Sequence, residues 1–303
     1  MFDLHRLRLL RELKHRGTLS AVALALAYAP STVSEQLSQL EAEAGVPLLE
    51  PVGRRVRLTP QAEILVAHTE AVLERLERAQ AEIAGSLTEV TGTLRVAAFQ
   101  TAALALVPAV LGLLRDRHPL LRVHVTQLEP EEGLSALRAR DCDLVVIEEY
   151  PGTAHARTAE LQRETLLDDP LHLAAPEAAG TADNPAARLR SLAGRSWVME
   201  PAGTPARQWA TTVCRTAGFE PDVRFETTDL LLHLRLVELG HAVALLPDLV
   251  FNGQEPRVAL HPLPRGQRSR RLSTVTRRGR GDHPAIRACR DALRQAADSY
   301  RTR

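Results

Sequence analysis

Between Ser31 and Gln39 the chain concentrates small hydroxyls and carboxamides: Ser31, Thr32, Ser34, Glu35, Gln36, Ser38 and Gln39. Val33, Leu37 and Leu40 recur among them at helical spacing. With those three turned to a core, the opposite face carries Ser31, Glu35, Ser38 and Gln39. Thr32, Ser34 and Gln36 stand at its N-terminal flanks. Hydroxyls at a helix N-terminus suit phosphate oxygens, and glutamine suits the edge of adenine. The chemistry this set offers is recognition of double-stranded DNA. A solvated helix face uses the same residue types, so the neighbouring elements have to decide.

Leu4, Leu7, Leu10 and Leu13 predict a first amphipathic helix, ended by Gly17. Thr18 caps a second helix through Ala21–Ala27 and is counted with the DNA contacts. Tyr28-Ala29-Pro30 breaks that helix, Ser31 is expected to cap the third, and Gly45 ends it. Two short helices with so short a break suggest a helix-turn-helix. Val56 and Leu58 then alternate with Arg55 and Arg57 after a turn at Gly53, which reads as a β-wing. Arg54 and Arg55 at its tip would reach phosphate or the minor groove. A surface hairpin with incidental charge is the plainer alternative.

Thr59-Pro60 reads as a cap followed by a first-turn proline, opening a helix to about Leu87, ~40 Å long. Leu65, Val72, Leu76, Ala79, Ile83 and Leu87 form a near-heptad seam. A helix so long with one seam is expected to pair with the same helix of a second subunit; packing on its own domain is the alternative. After Gly92, strands at 93–98, 121–127 and 143–147 alternate with helices at 102–117 and 131–139. Residues 152–163 read as an irregular crossover. A second set follows, with strands at 171–174, 197–199, 223–226 and 242–246 and helices at 205–217 and 228–238. A strand at 271–276 and a helix at 283–297 close the chain. Such alternation predicts a parallel α/β sheet.

Composition excludes other classes. Hydrophobic residues at 45% and charged residues at 25% describe an ordinary globular chain of 303 residues, long enough for two or three domains. No run approaches ~18 apolar residues, so no membrane helix is expected. The charged N-terminus predicts no signal peptide. The well-separated Cys142, Cys214 and Cys289 fit a reducing cytoplasm and argue against a zinc site. Charge is uneven. Residues 1–34 hold five basic groups against two acidic ones, which suits nucleic acid. Residues 61–90 hold six glutamates against two arginines. Residues 264–303 hold twelve arginines against three aspartates, read as a solvated face. No G-x-G-x-x-G, Walker A, G-x-S-x-G or H-E-x-x-H motif is present, so no catalytic residue, metal or cofactor is expected.

The chain resembles the LysR-type transcriptional regulators over essentially its whole length, most strongly from Leu4 to about Glu63. Ala29-Pro-Ser-Thr-Val-Ser-Glu-Gln-Leu-Ser-Gln-Leu-Glu41 is similar to that family's recognition helix. Gly45-Val-Pro-Leu-Leu-Glu50 and Gly53-Arg-Arg-Val-Arg-Leu-Thr59 are similar to its turn and wing. Leu166–Leu171, Glu200-Pro-Ala-Gly-Thr204 and Leu236–Gly240 with Leu245–Pro247 match less strongly. The resemblance implies an all-α winged helix-turn-helix over 1–59 and a linker helix over 60–91. An α/β effector domain over 92–303 would be similar to type 2 periplasmic binding proteins. Its first lobe would be about 92–163 plus 264–303, its second about 164–263. It implies a DNA-bound homodimer or homotetramer on an interrupted palindrome, a small-molecule effector between the lobes and RNA polymerase as a further partner. The place of action would be the cytoplasm, at the nucleoid. Ala29, Pro51, Ala62 and Glu35 depart from the family's habits. Glu35 could accept a hydrogen bond from cytosine N4 and so help set base choice. The alternative is a small-molecule receptor whose DNA-binding head has degenerated and acts through protein partners.

In α/β sheets, ligands bind beyond the carboxyl ends of strands, at helix N-termini. Phe99-Gln100-Thr101, Ala202-Gly203-Thr204-Pro205 and Thr227-Thr228-Asp229 fit that rule. By resemblance they line the effector pocket, with Gln100, Thr101, Thr204 and Thr228 as donors and Gly203 and Asp229 beside them. Plain helix capping needs the same residues. Glu148, with Glu149, ends a strand of the first lobe and would favour a cationic or hydroxyl-bearing effector; a solvated hinge rim is the alternative. Cys142 reads as small core filling.

Overall fold

Leucines at helical spacing build the N-terminal head of the computed structural model, which describes residues 1–53, 55–153, 158–176 and 184–301; the side chains of Arg55 and Arg301 are not described. Helix α1 (Leu4–Arg16) is capped by Asp3 and closed by Gly17 at φ 78°, the left-handed region glycine tolerates. Helix α2 (Leu19–Leu26) begins at Thr18, whose Oγ1 accepts from Ala21 N at 3.1 Å. Helix α3 (Pro30–Ala44) starts a residue earlier than the sequence predicts. Ala29 is its cap and makes no side-chain bond, because alanine has no side-chain acceptor; Pro30 follows in the first turn, where its missing N–H costs nothing. Ser31 therefore sits inside the first turn and does not cap it. Leu10, Leu13, Val22, Val33, Leu37 and Leu40 share one buried core.

Strands β1 (Leu49–Val52) and β2 (Arg55–Leu58) pair antiparallel as a wing. Thr59 ties the wing to the next helix: its hydroxyl donates to Pro47 O and accepts from Ala62 N. Helix α4 (Pro60–Gly85) buries Ala62, Val66, Thr69, Leu73, Glu77 and Ala81 against its own chain. Of the predicted seam, Val72, Leu76, Ala79 and Ile83 are exposed on another face, and Leu65 is half-buried against the head. Leu87 lies beyond the helix end.

The rest is α/β. Strands β3 (Gly92–Ala98), β4 (Leu121–Gln127) and β5 (Leu144–Glu149) are parallel, with β3 central. The helix predicted over 102–117 is two, α5 (Gln100–Ala105) and α6 (Val107–Arg117). They break at Leu106 because Pro108 has no N–H for the helical ladder. Helix α7 (Pro130–Arg138) covers the sheet beside Gly133, where an added Cβ would lie 2.7 Å from a Val145 methyl.

The largest departure from expectation is β6 (Leu161–Ala175). Residues 161–163 belong to this continuous strand, of which the sequence showed only 171–174; residues 154–157 of the expected crossover lie outside the described residues. Asp168, Asp169 and Pro170 hide its apolar pattern. The strand joins two sheets. Residues 161–170 pair antiparallel with β11 (Ser269–Arg277), and residues 171–175 pair with β9 (Ala244–Pro247) and β10 (Ala259–Pro262). The sheet is thus mixed, with β11 returning between β5 and β6. Beyond it stand α8 (Pro185–Ser191), β7 (Ser196–Met199), α9 (Pro205–Thr216), β8 (Asp222–Glu226), α10 (Leu230–Glu238) and a 3-10 turn (Asp248–Phe251). Strands β7 and β8 are parallel. The sequence did not announce α8 or β10. Helix α11 (Pro284–Arg301) returns to pack Ile286, Cys289 and Leu293 into the first lobe. A separate core around Trp197 and Trp209 fills the second.

Candidate nucleic-acid interface and effector cleft

The head presents the outer face of α3. Ser31, Thr32, Ser34, Glu35 and Ser38 are exposed, while Val33, Leu37 and Leu40 are fully buried beneath them. Gln36 and Gln39 are half-buried at its edge. Gln36 Oε1 accepts from Arg6 Nε at 3.1 Å, so this residue also braces α1. Thr18 is half-buried, its oxygen engaged in the α2 cap. In the wing Arg57 pairs with Glu50. Arg54 lies outside the described residues, and of Arg55 only the backbone pairing with Val52 is described.

The basic N-terminus is not a free cationic patch. Arg6 pairs with Glu43, Lys14 with Glu63, and Arg16 with Glu12 and Asp141. Arg11 is buried against Glu12 and Glu70 and donates to Arg138 O. Arg8 is left exposed. Those that leave the helix hold α1 to α3, to α4 and to the first lobe. The arginine-rich C-terminal segment also departs from expectation. Arg270, Arg277 and Arg290 are buried, not solvated, because carboxylates from other elements meet them.

A narrow cleft opens between the lobes. Glu129, Glu131, Glu148 and Tyr150 line it from α7 and the end of β5. Glu200, Thr204 and Ala206 line it from the β7–α9 loop, and Thr228 from the approach to α10. Below it lies Arg270, fully buried on β11. Its Nε donates to Asp169 at 2.9 Å, its Nη2 to Thr101 Oγ1 at 2.6 Å and its Nη1 to Tyr150 OH at 3.2 Å; Glu148 completes the set. The guanidinium lies 5.2 Å from the centre of the Phe99 ring.

Of the predicted effector residues, Glu148, Thr204 and Thr228 come together in this cleft. Gln100 and Asp229 meet each other: Gln100 Nε2 donates to Asp229 at 2.6 Å, and Leu230 N donates to Gln100 Oε1 at 2.8 Å. They form a clasp between the lobes. Thr101 is buried beneath the cleft on Arg270, and Gly203 makes the left-handed turn before α9. Thr204 caps α9. Glu149 turns away to Arg163. Sequence reasoning missed Glu129, Glu200, Tyr150 and Arg270. Glu129 and Glu200 obey the same strand-end rule as the loops it did select. No local signal marks Arg270 within its arginine-rich segment.

Burial pushes the Glu148 carboxyl up to about 7 despite Arg270. Burial, then Glu148 and Glu129, push Glu200 up to about 8. Glu129 is also raised, by burial and by Glu132 and Glu131. Burial raises Asp169 as well. Cys142, Cys214 and Cys289 are buried thiols pushed up to about 12 by that burial. Among the described residues, no helix is long and apolar enough to cross a membrane.

Two family profiles match the chain. One described as the LysR substrate binding domain covers residues 88–298, and one described as the bacterial regulatory helix-turn-helix protein of the lysR family covers 4–63. The chain is 27% identical to the transcriptional dual regulator GltC of Bacillus subtilis over 255 residues, 84% of each chain. It is 28% identical over 271 residues to a probable hydrogen peroxide-inducible genes activator of Mycobacterium avium, covering 88% of this chain and 86% of the relative. Its fold is similar to a full-length OxyR variant from Pseudomonas aeruginosa at TM-score 0.68 and 20% identity, covering 97% and 95% of the two chains. It is also similar to full-length CbnR in complex with its target DNA, at TM-score 0.53 and 20% identity, covering 98% and 100%. The reading as a receptor with a degenerate head finds no support in these matches.

Proposed function

The chain belongs to the LysR family of bacterial regulators, and from that premise we propose how its surfaces divide the work of a DNA-binding transcriptional regulator with an effector-binding domain. The family is one of regulators, not enzymes. The exposed polar face of α3 over its leucine core carries the reading. Ser31, Thr32, Ser34 and Ser38 serve phosphates and base edges, Gln36 and Gln39 flank them, and Glu35 tunes base choice. Thr18 and the wing arginines Arg54 and Arg55 grip the backbone beside it. This division places the head at 1–59, the linker at 60–91 and the effector domain at 92–303.

Exposed Val72, Leu76, Ala79 and Ile83 on α4, continued by Leu65, fit pairing with a second copy of the same helix. Two heads on one dimer would read an interrupted palindrome, at the nucleoid and within reach of RNA polymerase. The interlobe cleft takes the small-molecule effector, and closing it on a ligand changes the spacing of the heads. Several relatives are named for hydrogen peroxide induction. In this chain all three thiols are buried and their ionisation is suppressed, the opposite of a peroxide-reactive site. The signal is therefore assigned to a bound ligand and not to cysteine oxidation.

The test is a binding titration of the full chain against DNA from upstream of its own reading frame, beside scrambled DNA, at two salt concentrations. Preference for the native sequence that survives at higher salt is expected. Equal affinity for both at both salts overturns the reading.

A further inference from the structure

We propose that the interlobe cleft is built for an organic cation, a ligand bearing an ammonium or guanidinium group, held by Glu129, Glu148 and Glu200. This rests on the cleft being the effector site and adds the ligand's chemical class. The site is defined by the cavity between the lobes, and its class by the charge balance of the wall.

Four carboxylates reach that wall from three separate segments: Glu129 and Glu131 at the start of α7, Glu148 at the end of β5, and Glu200 after β7. Among the described residues, no lysine, arginine or histidine lines it. The nearby cation, Arg270, is fully buried below and bonded to Glu148 and Asp169, so its one charge is already matched twice. The Tyr150 hydroxyl brings no charge and accepts a hydrogen bond from Arg270. The N-termini of α7, α9 and α10 soften the excess without cancelling it. An anionic effector would meet, among the described residues, no lysine, arginine or histidine on the wall, only these carboxylates. A cation offsets them.

The wall reduces its own charge by holding protons, as the raised Glu148, Glu200 and Glu129 carboxyls indicate. A bound cation favours the ionised forms and releases those protons. A bare metal ion fits less well than an extended organic cation. Among the described residues no group of three histidine, cysteine, aspartate or glutamate side chains stands close enough to hold a metal. The ring of Tyr150 and the Ala206 wall instead offer apolar contact to the body of a ligand.

The experiment is isothermal titration of the full chain with agmatine, putrescine and methylguanidine, and with benzoate and succinate as anionic probes. Each is run at pH 7 in two buffers of different ionisation enthalpy. The variants are Glu200→Gln and Glu129→Gln, together with Thr228→Trp, an exposed rim position where the indole blocks the mouth. The expected result is binding of at least one cationic probe with proton release. Affinity should fall about 10- to 100-fold in Glu200→Gln and be lost in Thr228→Trp. Affinity should also tighten as pH rises from 6 to 8. If an anionic probe binds, is blocked by Thr228→Trp and the cations do not, the proposed class is wrong and the cleft remains the effector site. If a probe binds equally to wild type and Thr228→Trp, the cleft is not where it binds, and both readings fail. Absence of any cation binding at millimolar concentration overturns the proposal.

Discussion

Two arginines seven residues apart on β11 meet opposite fates. Arg270, below the cleft, faces Glu148 and Asp169, with Glu129 and Glu200 beyond them around open space. Arg277, at the other end, binds Glu77 of the linker helix and Asp143 and donates to Leu137 O and Cys142 O. Both guanidiniums are buried. At the Arg277 end cations are plentiful: Arg140 also reaches Glu77, and Arg95 and Arg280 also reach Asp143. At the Arg270 end carboxylates are in surplus and turn toward a cavity. Carboxylates shared among several guanidiniums mark a joint that holds the linker helix to the first lobe. Surplus charge around a cavity marks a place prepared for a partner.

The largest effect should come from removing Arg270 from the surplus end. Arg270→Met takes the guanidinium from Glu148 and Asp169 and is expected to cost about 3–5 kcal/mol of stability, read from urea unfolding midpoints. Arg277→Met should cost less, about 1–3 kcal/mol, because Glu77 keeps Arg140 and Asp143 keeps Arg95 and Arg280. Equal losses would erase the distinction between the two ends.

The pH dependences should differ in sign. Glu148 and Glu200 have carboxyls raised by burial, so the folded state holds more protons than the unfolded one. Their contribution is greatest below the ordinary carboxylate range and is lost as pH climbs toward 8. Glu200→Gln should flatten that slope between pH 5 and 8. Asp143 behaves oppositely: burial raises it, but bonds from Arg95 and the charge of Arg280 outweigh that and lower it. Its contribution is present at neutral pH and is lost in acid, below about 4. Stability curves of the wild type, Glu200→Gln and Asp143→Asn check both signs. A Glu200→Gln curve parallel to the wild type between pH 5 and 8 would remove the cleft from the account.

The smallest expected effect lies on the head. Glu35 stands exposed on α3 with small hydroxyls around it. Glu35→Gln should shift relative affinity among operator variants at one base position by about tenfold. Unchanged relative affinities across all variants would make Glu35 a bystander.

Legibility in the sequence followed the range of the interactions. The head could be read because its logic is local: Thr18 and Thr59 cap the helices that follow them, Gly17 and Gly45 end helices, and Val33, Leu37 and Leu40 mark one face. The exposed face of α3 followed from that spacing. Strand β6 was half-hidden because Asp168 and Asp169 interrupt its apolar pattern, and their partners, Arg271 and Arg270, lie a hundred residues away. The cleft was glimpsed at Glu148, Thr204 and Thr228, since strand ends and caps are local. Its depth was not, because Arg270 acquires meaning only when β11 returns between β5 and β6. Long-range charge pairing leaves no periodicity to read.

The central claim is that α3 reads DNA through its exposed hydroxyl face. The most direct measurement is the affinity of the wild-type chain and of the double variant Ser34→Glu, Ser38→Glu for DNA upstream of its own reading frame, with circular dichroism and sedimentation as controls for fold and assembly. Both serines are exposed, so the fold should be unaffected. Two carboxylates against the phosphates should weaken specific binding by about 100-fold or more while helicity and oligomeric state stay unchanged. Undiminished affinity in a correctly folded double variant would contradict the account.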